Sequence, residues 1–123
     1  MITSLHHVQV AAPPGSEQAA RAFYGGVLEM TELDRPAALA GRGGAWFRSG
    51  AAEVHVGIED GFTPARKAHP ALLVDDLDAV IARLVAAGHH VTRDGALPGY
   101  RRCYVDDPHG NRLELIQSAT SPR

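Results

Sequence analysis

The same order of elements is written twice along this chain, and that repeat limits the fold more than any single motif does. Residues 3–58 read as strand, helix, short strand, loop and hairpin, and residues 69–117 repeat the order, which identifies an internal duplication of two units joined by residues 59–68. In the first unit, residues 5–10 (LHHVQV) alternate as a strand with His7 and Gln9 on one face. Ser16 is the expected cap of a helix carrying Ala19, Ala20, Phe23, Tyr24 and Val27 at helical spacing. Residues 30–33 form a short strand, 35–44 a mobile Gly- and Pro-rich loop, and 45–48 and 53–58 two strands joined by a turn. In the second unit, residues 69–74 open as a strand whose start Pro70 keeps at an edge or outside the pairing. Asp75 or Asp76 caps an amphipathic helix bearing Leu77, Val80, Ile81, Leu84 and Val85, and Gly88 stops it. Strands at 91–93 and 101–105 follow, and a last hairpin closes the chain.

That hairpin (106–117, DDPHGNRLELIQ) carries the chemistry. Asp-Asp-Pro followed by Gly-Asn is turn sequence, and the run after it alternates, so Leu113 and Leu115 share one face while Glu114 and Ile116 share the other. A carboxylate among apolar strand residues is costly to bury unless a positive partner meets it. The partner expected here is a divalent metal held also by histidines from earlier strands. The duplication supplies them: His7 and His69 sit in the opening strand of each unit, and His55 and Glu114 in the closing strand of each. A pseudo-twofold axis relating the units would point all four at one concave surface.

Composition excludes several classes. At 123 residues, 45% of them apolar and 21% charged, the chain has the size and makeup of one soluble globular domain. A net charge of −2 without a basic run gives no footprint for nucleic acid, and no apolar stretch is long enough for a membrane span or signal core. One cysteine, Cys103, excludes an internal disulfide and suits a reducing compartment, so the expected location is cytoplasmic.

The sequence resembles the vicinal oxygen chelate superfamily of glyoxalases, fosfomycin-modifying enzymes, extradiol dioxygenases, methylmalonyl-CoA epimerases and bleomycin-binding proteins. The resemblance runs through LHHVQV, AFYGGVLEM, HPALLVDDLDAVIARLVAAG and YVDDPHGNRLELIQ, nearly the whole chain. It implies an α+β fold of two βαβββ modules forming a cupped mixed sheet, and homodimers in which modules are exchanged between chains in some relatives. It also implies that His7, His69 and Glu114 are metal ligands. His55 falls where glyoxalases place a further ligand and fosfomycin enzymes have none. Glu29 stands where relatives usually have Gly, which points to an altered helix exit.

Two or three imidazoles with one carboxylate form an N/O site suited to Zn, Ni, Co, Mn or Fe(II), able to polarise a carbonyl or hold two neighbouring oxygens. Glu114 or a bound water is the expected base. His55 is a ligand, a residue behind the ligands or one that faces the substrate. Arg102 and Tyr104 are the expected substrate contacts, with Arg102 suited to an anion or else facing solvent; Trp46 either walls the cavity or packs in the core. The expected function is a metal-dependent isomerase, lyase or transferase acting on a small oxygenated metabolite or antibiotic. The competing reading is a metal-free protein that sequesters a drug, which the ligand set and an aromatic content of 6% argue against.

Overall fold

Two four-stranded sheets, each built from one half of the chain, carry the architecture of the computed structural model, which describes residues 1–118. Strands β1 (Val8–Ala12), β2 (Thr31–Leu33), β3 (Ala45–Ser49) and β4 (Ala52–Ile58) form the first in the order β1-β4-β3-β2. Strands β5 (Ala71–Leu73), β6 (Val91–Asp94), β7 (Tyr100–Asp106) and β8 (Arg112–Ser118) form the second in the order β5-β8-β7-β6. In both, the opening strand pairs parallel with the closing strand and the other pairings are antiparallel. The helices are α1 (Glu17–Ala20), which widens into a π-helix over Arg21–Val27, a single turn α2 (Ala37–Ala40), and α3 (Leu77–Ala86). The chain is thus an α+β protein with a βαβββ order in each half.

Alternation decides what each sheet buries. Val54 and Val56 of β4, Phe47 of β3, and Leu113 and Leu115 of β8 face a core completed by Phe23, Tyr24, Leu77 and Leu84 from the helices. Each such side chain contributes roughly 1.5–3 kcal/mol relative to exposure. The faces turned away from this core carry the polar candidates. Across the halves, the Tyr24 hydroxyl donates to Asp107 at 2.7 Å and Asn111 Nδ2 to the Ala11 carbonyl at 2.8 Å.

Local details differ from the sequence expectations for identifiable reasons. β1 begins at Val8, so His7 precedes the first paired residue; β5 begins at Ala71, leaving His69 outside the ladder behind Pro70, which has no N–H to pair. Ser16 precedes α1 but caps nothing: its Oγ donates to the Pro13 carbonyl at 2.6 Å. Asp76 is the residue that caps α3, accepting from the Ala79 amide at 3.1 Å. The stretch 35–44 holds the helical turn α2 instead of a featureless loop, clamped by Arg35 on the Ala40 and Gly43 carbonyls and by Glu17, which accepts from the Gly44 amide at 2.9 Å. Gly44 is required there, because at φ +90 a Cβ would lie 2.2 Å from the Val56 carbonyl oxygen.

The first helix ends unusually. Its closing bond joins the Leu28 amide to the Phe23 carbonyl, five residues back, and the Met30 amide reaches the Tyr24 carbonyl. Glu29 then takes φ 58, the left-handed conformation that glycine normally supplies at a helix exit.

Candidate functional site

The polar faces of the two sheets present two clusters. In the first sheet, cross-strand register places Gln9 and Trp46 on either side of His55. The His55 imidazole lies flat between the Trp46 indole (centroids 4.0 Å apart, planes 5° apart) and the His7 ring (4.0 Å, 16°), which leaves the residue 5% exposed. Its Nε2 stands 2.7 Å from Glu53 Oε2. A carboxylate only accepts, so His55 donates from Nε2. The bond from His55, followed by one from Arg48, holds the Glu53 carboxyl below its ordinary range. His7 is exposed, with its Nδ1 2.9 Å from that of His6; the neighbouring histidine therefore touches this cluster instead of standing apart in solvent.

In the second sheet Glu114, 6% exposed, receives His69 Nε2 at 3.0 Å on Oε1 and Arg102 Nη1 at 3.2 Å on Oε2. Here the environment of His69 is informative. Its Nδ1 lies 3.0 Å from the Lys67 carbonyl, so both ring nitrogens face oxygen acceptors, and a neutral imidazole has hydrogen for only one of them. A backbone carbonyl on Nδ1 is the arrangement that frees Nε2 to bind a cation. Two donor atoms on one ion at right angles, with bonds of about 2.1 Å, stand roughly 3.0 Å apart, which is the separation of this nitrogen and oxygen. By donor chemistry and spacing the pair fits a divalent metal, and a proton shared between the two is the other way to satisfy them.

Tyr104 closes the wall of this second cluster. Its ring sits edge-on to His69 (5.6 Å, 80°) and lies 5.5 Å from the Arg102 guanidinium and 5.4 Å from that of Arg112. Arg102 is further drawn to Asp94 at 3.6 Å, while its buried Nε has no hydrogen-bond partner.

Within one chain the four expected ligands therefore stand as two pairs, His7 with His55 and His69 with Glu114. His7 and His69 line one groove of about 560 Å³. Among the described residues, no group of three or more His, Cys, Asp and Glu stands close enough together to hold a metal ion. Trp46 neither packs in the core nor stands free: it covers His55. Arg102 and Tyr104 share the face of Glu114, as alternation required. His109, in the closing turn, has a buried Nε2 without a hydrogen-bond partner among the described residues. Sequence reasoning passed over Glu53 and Arg112 as site residues. Each lies two positions before a candidate ligand on the same strand, so period-two alternation was the signal that could have found them.

The family profile for the glyoxalase-like domain matches residues 10–116. Among solved structures, a glyoxalase family protein from Bacillus anthracis is 46% identical, with TM-score 0.93 over 96% of this chain and 97% of that one. The fosfomycin resistance protein FosX from Listeria monocytogenes shares the fold at 17% identity (TM-score 0.75; 98% and 97% coverage). TnmS3, an antibiotic binding protein from Streptomyces sp. CB03234, is 25% identical (TM-score 0.68; 97% and 100% coverage). A comparison with curated proteins returns no match. No helix among the described residues is long and apolar enough to cross a membrane.

Proposed function

The chain belongs to the glyoxalase-like domain family, within the vicinal oxygen chelate superfamily, and from that premise we propose that it is a cytoplasmic, divalent-metal-dependent enzyme acting on a small oxygenated molecule by isomerisation, lyase chemistry or group addition. The observation that carries this reading is His69, fixed through Nδ1 by the Lys67 carbonyl with Nε2 facing Glu114 Oε1 at 3.0 Å. His69 and Glu114 supply two ligands. His7, on the other sheet, supplies the third from the partner protomer of a homodimer, since no third donor joins the pair among the described residues of one chain. The face of the second sheet that bears Glu114 also carries exposed apolar side chains, Leu73 at 73% and Tyr100 at 44%, which pairing of protomers would cover.

A metal in this position supplies electrophilic polarisation of substrate oxygens, acidifying a neighbouring C–H or stabilising an oxyanion. The chain's own groups do the rest. Arg102 holds Glu114 through Oε2 and orients the carboxylate, so Oε1 is the oxygen positioned to take up a proton. The Tyr104 ring shields His69 from one side. His55, with Nε2 committed to Glu53 and both faces covered, acts as the support that orients His7 instead of as a ligand.

Complementation tests the shared site. H7A and E114A chains each lack one ligand, and a mixed dimer regains one complete set by pairing the intact His7 of one chain with the intact Glu114 of the other. Metal restored on mixing, at about one ion per mixed dimer, supports the reading; no restoration contradicts it. A second reading, metal-free sequestration of a drug, is favoured by the Trp46–His55–His7 stack, a flat aromatic surface, and by the likeness to TnmS3. It predicts tight binding of planar aromatic compounds to protein that takes up no metal.

A further inference from the structure

We propose that the end of the second sheet carries an oxyanion-binding subsite, centred on Arg112, for a carboxylate or phosphate group on the ligand. A cavity of 480 Å³ opens there, walled by Arg66, His89, His90, Thr92, Tyr104 and Arg112 among others. Its size suits a small molecule.

Charge accounting singles out Arg112. Arg66 is bound to Asp106 at 2.6 Å and to the Gly110 carbonyl at 2.8 Å. Arg102 serves Glu114, and Arg93 and Arg101 both reach Asp78, at 2.8 and 2.7 Å. Among the described residues no carboxylate stands within ion-pair distance of Arg112, whose guanidinium is 5.4 Å from the Tyr104 ring centroid.

The acids on the wall are directly bonded to other groups. Asp107 already accepts from the Tyr24 hydroxyl, the Asn111 side chain, and the His109 and Asn111 amides; Asp106 is engaged by Arg66. The cavity therefore holds a half-buried guanidinium without a direct carboxylate partner, beside a fixed second guanidinium and two imidazoles, with the carboxylates of Asp106 and Asp107 turned to other groups on the same wall. Such a fork in a partly desolvated recess is matched by a planar or tetrahedral oxyanion.

The location ties the subsite to the proposed reaction centre, and the assignment of the bound group to a substrate rests on that reading. Arg112 and Glu114 lie on one face of β8, about 7 Å apart along the strand, and the Tyr104 ring borders both the cavity and His69. A molecule spanning the two would be a compact acid whose oxygenated carbon lies a few bonds from its anionic group.

The test uses the full chain stripped of metal by chelation. Inorganic phosphate and acetate are titrated separately, at constant ionic strength, into wild type, R112Q, R112K and, as a control, R21Q, whose arginine is paired with Glu32 on an exposed surface. Calorimetry reads affinity, and melting confirms folding; the Arg112 amide bond to the Ala65 carbonyl does not depend on the side chain. Saturable binding of at least one anion is expected, weakened about tenfold or more in R112Q, less in R112K and not in R21Q. Equal responses in all four proteins, or no saturable binding, overturn the subsite. H69A separates this proposal from the metal reading: it should bind the anion like wild type while losing metal, and a wild type that binds anion through Arg112 but takes up no metal leaves the subsite standing while the metal reading falls.

Discussion

His69 Nε2 and Glu114 Oε1 meet at 3.0 Å although 45 residues separate them in sequence. Backbone pairing brings them together: Ala71 is in register with Glu114, the Glu114 amide bonds the Pro70 carbonyl at 3.0 Å, and His69 follows one step back from that bond. Pro70 ends the ladder at this point, which frees His69 to lean over the sheet face and meet the carboxylate. The meeting of imidazole and carboxylate is thus built into strand register, the most strongly specified feature of a sheet with one buried face.

The role assigned to His55 can be separated from ligation by substitution. H55F keeps a flat ring between Trp46 and His7 but has no nitrogen. Metal content should stay at the wild-type level in H55F, with a lower melting temperature because Glu53 loses its partner. Metal loss as complete as that of H69A would make His55 a ligand.

Glu29 is a position where stability should be easy to raise. A side chain at φ 58 costs about 1 kcal/mol that glycine avoids, and the ion pair lost with it, Arg83 to Glu29 at 3.4 Å between exposed side chains, contributes little. E29G should therefore melt roughly 3–5 °C higher. A lower melting temperature would show that the glutamate compensates for its conformation.

Acid should weaken the anchor of the loop before β3. The Glu17 carboxyl is held below its ordinary 4.5, chiefly by the hydrogen bond from the Gly44 amide. A depressed folded value means that the contribution is complete above 4.5 and disappears as pH falls through the lowered value. Wild type should therefore melt higher than E17Q at neutral pH, and the difference should close on acidification below 4.5. A gap that persists unchanged to low pH would mean that the charge of Glu17 is irrelevant to its role.

The parts of this molecule that depend on alternation and repetition were legible from residues alone. RLELI set the side of β8 on which Glu114 lies, and the repeated element order paired His7 with His69 as members of the two opening strands, whereas both strands begin after the histidine. Interactions that depend on register between strands were not. Trp46 stacks on His55 because the β3–β4 turn sets those two residues opposite each other, and the sequence does not state the pairing. Ser16 bonds back to Pro13 because the Pro-Pro-Gly turn offers a carbonyl nearer than the helix amides. Arg112 escaped notice because its distinction, that the acids sharing its cavity are bonded to other groups, depends on neighbours that only the fold assembles.

The most direct test of the account is elemental analysis of protein purified without a histidine tag, comparing wild type with H69A and E114A after loading with divalent metal and removal of excess. The account predicts about one tightly held ion per chain in wild type and almost none in either variant, with wild type alone stabilised on metal return. Equal metal content in all three, or none in wild type under any loading condition, would contradict it.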